Sequence, residues 1–165
     1  MNRHTRTGSL AATGAVTLLL TLTTACGVAH KGDVQPDAVE KQAHTFTTQT
    51  LDALRSTIGA PTTTTYENKW TKCATETPGQ HRFEYVYAVT IPVPTSKAKP
   101  ALAAARADFT RRGYTLAYVP NPSSGAGATP PKTKWIINLN VRTTSFLLYV
   151  DSDCVFTRHD PKTTS

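Results

Sequence analysis

Hydrophobic and polar positions change their period several times along this chain, and each change marks an expected element. From residue 36 onward, Val39, Ala43, Phe46, Thr50, Leu54 and Ile58 recur at helical spacing, which predicts a helix with one inward face. Its punctuation agrees. Pro36 and Asp37 open it, Glu40 stands three residues after Asp37 as in a capping box, and Gly59 with Pro61 closes it. Thr45, Thr47, Thr48, Thr50 and Thr57 lower its intrinsic propensity, so tertiary packing must hold it.

The period then shortens to two. Residues 66–75 and 82–93 read as strands joined through Thr77, Pro78, Gly79 and Gln80, where Pro then Gly suits a type II turn. The second alternates cleanly, with Phe83, Tyr85, Tyr87, Val89, Ile91 and Val93 on one side. A simple register about the turn sets Trp70 opposite Tyr87 and Ala74 opposite Phe83, which leaves Cys73 on the other face unless a bulge or a one-residue shift turns it inward. Residues 96–112 form a second expected helix, with Ser96 as cap, Leu102, Ala105 and Phe109 inward, and Gly113 at its end. A strand over 114–119 follows. Residues 120–134 hold four Pro and no periodicity, which predicts a long loop, and loops of this length in compact domains are usually functional or disordered. Alternation resumes over 135–142 and again over 146–156, where Phe146, Leu148, Val150, Cys154 and Phe156 face the core.

This order predicts an α+β domain: a five-stranded, mostly antiparallel sheet with two helices packed on one face. No internal repeat is visible. Thr is the commonest residue; it suits exposed strand faces and offers little buried area.

The start of the chain has a different logic. Arg3 and Arg6 precede an uncharged stretch over 10–22, and Leu22, Thr23, Thr24, Ala25, Cys26 and Gly27 follow. The stretch is short for a membrane span and diluted with Thr. This layout resembles a bacterial export signal ending in a lipobox, as in small actinobacterial lipoproteins with a Thr, Ala and Pro bias. The resemblance implies cleavage before Cys26, a diacylglyceryl thioether on Cys26, and a lipid anchor on the extracytoplasmic face of the cell membrane. It implies no activity. The expected organisation is a signal peptide over 1–25, a tether over 26–35, a single domain over 36–157 and a loose polar tail over 158–165. Cleavage after Ala25 with plain secretion is the alternative.

Cysteine arithmetic bears on both readings. The chain has three cysteines, and an odd thiol is awkward in an oxidising compartment. Lipidation of Cys26 leaves Cys73 and Cys154 to form one disulfide; two buried free thiols are the alternative. Neither has a C-x-x-C partner and no His pair has ligand spacing, so no metal site is expected.

The net charge is +7, falling to +5 once Arg3 and Arg6 are removed. That excess is scattered, with Arg111 and Arg112 its only adjacent basic pair, which argues against nucleic acid as a partner. Candidate chemistry is thin. Asp151 and Asp153 alternate onto one strand face, about 6.6 Å apart by strand rise, but a solvated face is the simpler reading. His30, His44, His81 and His159 stand in no nucleophile motif, and Gly125 to Gly127 lack the strand and helix that phosphate cradling needs. No catalytic residue and no cofactor is expected. The expected function is binding by an envelope accessory module, through a loop carrying Asn121, Pro122, Pro130, Pro131, Lys132 and Lys134 that meets a protein partner in the cell envelope. An envelope enzyme with a scattered site, or a secreted inhibitor or immunity module, is the alternative.

Overall fold

The structure is a computed structural model that describes residues 34–74 and 81–162. Its elements run α1 (Pro36–Ile58), β1 (Thr64–Lys72), β2 (Arg82–Pro92), α2 (Thr95–Arg111), β3 (Thr115–Leu116), β4 (Gly125–Thr129), β5 (Ile136–Val141), β6 (Ser145–Asp151) and β7 (Val155–Phe156). This is an α+β domain with two helices and an antiparallel sheet, but the sheet has seven strands where five were expected. The signal segment over 1–25, Cys26, the Pro78 and Gly79 turn, and residues 163–165 lie outside the described residues.

Strand order is β1-β2-β6-β5-β4-β3, with β7 paired to the start of β2. The expected alternation in β2 holds: Phe83, Tyr85, Val89 and Ile91 are buried on the inner face. Leu139 and Ile137 of β5, Phe146, Leu148 and Val150 of β6, and Ala126 and Ala128 of β4 join them. Both helices close over this face. α1 contributes Val39, Ala43, Phe46 and Leu54, and α2 contributes Ala101, Leu102, Ala105 and Phe109, to the same core.

The helix ends differ from expectation. No side chain caps α1 at Gln35, and the expected capping box is absent because Glu40 is used elsewhere: Trp70 Nε1 of β1 donates to Glu40 Oε1 at 2.8 Å. A tertiary hydrogen bond has replaced a local one. At the other end Gly59 takes φ 83°, a left-handed value that favours glycine. The N-cap of α2 is Pro94 in place of Ser96, again without a side-chain bond.

The segment over 120–134 is the largest correction. Its centre, Gly125–Thr129, is β4, hydrogen-bonded to β5 on one side and β3 on the other. Sequence periodicity missed it because Gly125, Ala126, Gly127 and Ala128 carry almost no side chain. Their smallness is what the packing needs. A Cβ on Gly127 would sit 2.6 Å from Asn138 Oδ1, and one on Gly125 would sit 2.9 Å from the Leu139 carbonyl and 3.2 Å from Asn140 Oδ1. Asparagines of β5 therefore occupy the space above β4 on its outer side. On the inner side Ala126 and Ala128 meet the Ala-rich face of α2, so helix and strand approach closely.

The last expected strand is broken in two. Ser152 Oγ accepts from Tyr85 N at 2.8 Å and Cys154 N donates to Asp153 Oδ1 at 2.8 Å. The Ser152 hydroxyl thus takes the Tyr85 N–H that a backbone carbonyl would have accepted, while Ser152 N still donates to the Tyr85 carbonyl at 2.9 Å, and regular pairing of β6 ends at Asp151. The β1–β2 register is also offset by two residues from the simple one, with Trp70 opposite Tyr85 and Lys72 opposite Phe83. A bulge near Tyr66 adds local twist.

Cys73 and Cys154 form a disulfide with Cα atoms 6.2 Å apart. Cys73 is buried, whereas Cys154 is only half-buried in the break between β6 and β7. Since β1 and β7 flank β2 on opposite sides, the bridge straps the end of the sheet across β2.

Candidate functional site

Packing both helices on one side leaves the outer sheet face without a covering helix, and its side chains follow from register alone. One row crosses four strands as Lys69, Val86, Asp151 and Ile136. The next row is Glu67, Ala88, Tyr149, Asn138 and Gly127. Glu84 lies two residues before Val86 on β2 and so shares its face. Between these rows lies a cleft of about 440 Å³ lined by Glu67, Glu84, Val86, Ile136, Asn138, Tyr149, Asp151 and Ser152.

Charge in this cleft is unbalanced. Glu67 pairs with Lys69, and that contact holds the Lys69 ammonium above its ordinary value. Asp151 is half-buried. Burial first, then the negative charges of Glu84 and Glu67, push its carboxyl up from 3.8 to about 6. Val86 and Ile136 give the cleft apolar walls, and Tyr66, at 61 % exposure, stands at its rim with its ring centroid 6.3 Å from that of Tyr149.

Asp153 does not join Asp151 in a hydrolytic pair. It caps Cys154 N through Oδ1 and faces Lys134 Nζ at 3.5 Å through Oδ2. The Ser152 hydroxyl is equally committed, accepting from Tyr85 N and donating to the Asp153 carbonyl. Among the described residues no histidine lines the cleft: His44 packs on the Tyr87 ring, His81 bonds Asp160 at 2.6 Å, and His159 lies in a separate hollow beside the start of α1. Among the described residues no group of three or more His, Cys, Asp and Glu side chains has a metal-holding arrangement. The cleft offers charge and apolar contact.

The residues expected to form a binding loop are not one surface. Asn121 and Pro122 lie before β4, whereas Pro130, Pro131, Lys132 and Lys134 lie after it, about 17 Å away along a five-residue strand. Both turns are tied down. Asn121 Oδ1 accepts from Ser123 N, Arg106 binds the Pro122 carbonyl, Thr133 Oγ1 donates to the Pro130 carbonyl, and Pro130 is itself buried. Sequence reasoning missed Glu67, Glu84, Ile136, Asn138 and Tyr149. Only the alternation of Glu84, Val86 and Ala88 opposite the apolar side of β2 pointed to a second face.

Fold and cleft together define a small α+β domain with one sheet face packed and the other open. No known protein family, no curated protein and no solved structure matches the chain.

Proposed function

We propose that this protein is a lipoprotein held on the extracytoplasmic face of the cell membrane by an acylated Cys26, and that its domain is a binding module which presents its open sheet face to a protein partner in the envelope. One observation carries the binding reading. A face that combines exposed Tyr66 and Ile136 with a cleft of unbalanced charge has the makings of a recognition surface. The Cys73–Cys154 disulfide supports an oxidising compartment. No described helix is long and apolar enough to cross a membrane, so attachment in this reading rests on lipid and tether.

Fractionation with mass analysis of the mature N-terminus tests the anchor. Wild type should sediment with membranes carrying two or more acyl chains on residue 26, and Cys26→Ser should lose them; unmodified Cys26 recovered in the medium refutes lipidation in favour of secretion. A photo-crosslinking residue at position 136 tests the face. It should capture an envelope protein in intact cells where the same group at Thr48, on the exposed side of α1, does not.

A second reading, a small envelope enzyme, draws on one feature, because a carboxyl raised to about 6 in a cleft is a group that acid–base chemistry uses. Hydrolysis of envelope substrates that vanishes in Asp151→Asn supports that reading against the first.

A further inference from the structure

On the reading that the open sheet face binds a protein, we propose that its partner is cationic and seats an Arg or Lys side chain over Val86, between Glu84 and Asp151. The chain as a whole is basic, at +7, yet the cleft on this face is lined by Glu67, Glu84 and Asp151 and by no Lys or Arg. Elsewhere four carboxylates have a basic partner, Asp52 with Arg55, Asp108 with Arg111 and Arg112, Asp153 with Lys134, and Asp160 with His81, and Glu40 accepts from the Trp70 N–H. On the open face Lys69 answers Glu67. Among the described residues Glu84 and Asp151 have no such cation.

Register fixes where the missing charge belongs. Asp151 is the cross-strand neighbour of Val86, and Glu84 is its neighbour two places along β2. Cross-strand and same-face neighbours lie about 5 Å and about 7 Å away respectively, so a cation above the Val86 side chain reaches both carboxylates, while Lys69, the cross-strand neighbour on the β1 side, is paired with Glu67. The surroundings suit a long basic side chain. Tyr149 and Ile136 can flank its methylene stem, Asn138 offers an amide, and Tyr66 presents an aromatic ring for a guanidinium. The breadth of the face favours a protein over a small amine. Small ligands are held by burying most of their surface in a concave pocket, whereas this surface spans four strands with Tyr at its margin, a composition typical of protein interfaces.

The test uses the intact chain with hexa-arginine, hexaglutamate and monomeric arginine amide as probes, read by calorimetry and backbone amide shifts. Hexa-arginine should bind, more weakly as salt rises, and should move amides of β2, β5 and β6 next to the cleft. Glu84→Gln combined with Asp151→Asn should weaken it about tenfold, because it removes two partly exposed charge pairs that are each worth about threefold in affinity. Asp52→Asn, on α1, should leave it unchanged. Equal binding of hexa-arginine by the double variant, shifts confined to other surfaces, or equal binding of hexaglutamate overturns the inference. Arginine amide binding as tightly as hexa-arginine overturns the protein partner in favour of a small amine. If the crosslinker at position 136 captures an envelope protein and the double variant captures it equally, the cationic partner is wrong and the open-face reading stands. No capture from position 136 removes both.

Discussion

Asp151→Asn should make the protein more stable, and the gain should depend on pH in a defined direction. Asp151 sits on the outer face between Val86 and Ile136, half-buried and near Glu84 and Glu67, and its carboxyl is raised from 3.8 to about 6. A carboxyl raised on folding binds its proton more tightly in the folded state. Its ionised form therefore destabilises the fold fully above pH 6, and this penalty fades as pH falls toward 3.8. Taken whole, a shift of about two units corresponds to about 3 kcal/mol, but the cleft is open to water and screening reduces this to about 1 kcal/mol. Asparagine keeps the shape and removes the charge. In urea unfolding followed by Trp fluorescence, the variant should gain about 1 kcal/mol at pH 7.5, equivalent to about 3–4 °C in Tm for a domain of this size, and almost nothing at pH 4. Loss of stability at pH 7.5, or an equal gain at both pH values, refutes the argument that repulsion and burial strain this carboxylate.

Removing the disulfide with Cys73→Ser and Cys154→Ser should cost about 4 kcal/mol by chain entropy, since the bridged residues are 81 apart; an unchanged urea midpoint after reduction of the wild type contradicts this. Gly125→Ala should cost about 1–3 kcal/mol, because its Cβ meets the Leu139 carbonyl at 2.9 Å and backbone must shift; a neutral effect in thermal melts counts against the close packing of β4 and β5. Glu40→Ala should cost about 1–2 kcal/mol by leaving the Trp70 N–H without its acceptor, while Glu40→Gln keeps an amide oxygen there and should cost much less; equal losses in the two variants remove that hydrogen bond from the account.

The elements legible in the sequence are those whose packing leaves a periodic trace. α1 shows its Val39 to Leu54 stripe, and β2 its odd-numbered apolar side, because each buries one face against the same core. β4 leaves no trace: its outer side is filled by Asn138 and Asn140 from β5 and its inner side by alanines of α2, so its own residues had to be small. Local hydrogen bonds hid the end of β6, where Ser152 and Asp153 intercept the ladder. The cleft was illegible for another reason. Glu67, Glu84 and Asp151 come from three strands, and only pairing to within one residue puts them on one side of the sheet. The disulfide needed no geometry: with Cys26 assigned to a lipid by the resemblance, Cys73 and Cys154 were the one pair left, and they are bridged.

The two edges of the sheet bear on self-association. β3 offers a neighbouring chain only the two residues Thr115 and Leu116, and β1 is interrupted by its bulge near Tyr66 and carries Lys69 and Lys72 further along. Bulges, lysines and short strands are the devices that keep one sheet from extending into another. On the membrane surface proposed for this protein, where copies confined to two dimensions meet often, such edges leave neighbouring copies no ladder to share. Crowding then gives the domains no gain from edge-to-edge pairing, and the broad sheet face is left as the surface through which they can meet anything else.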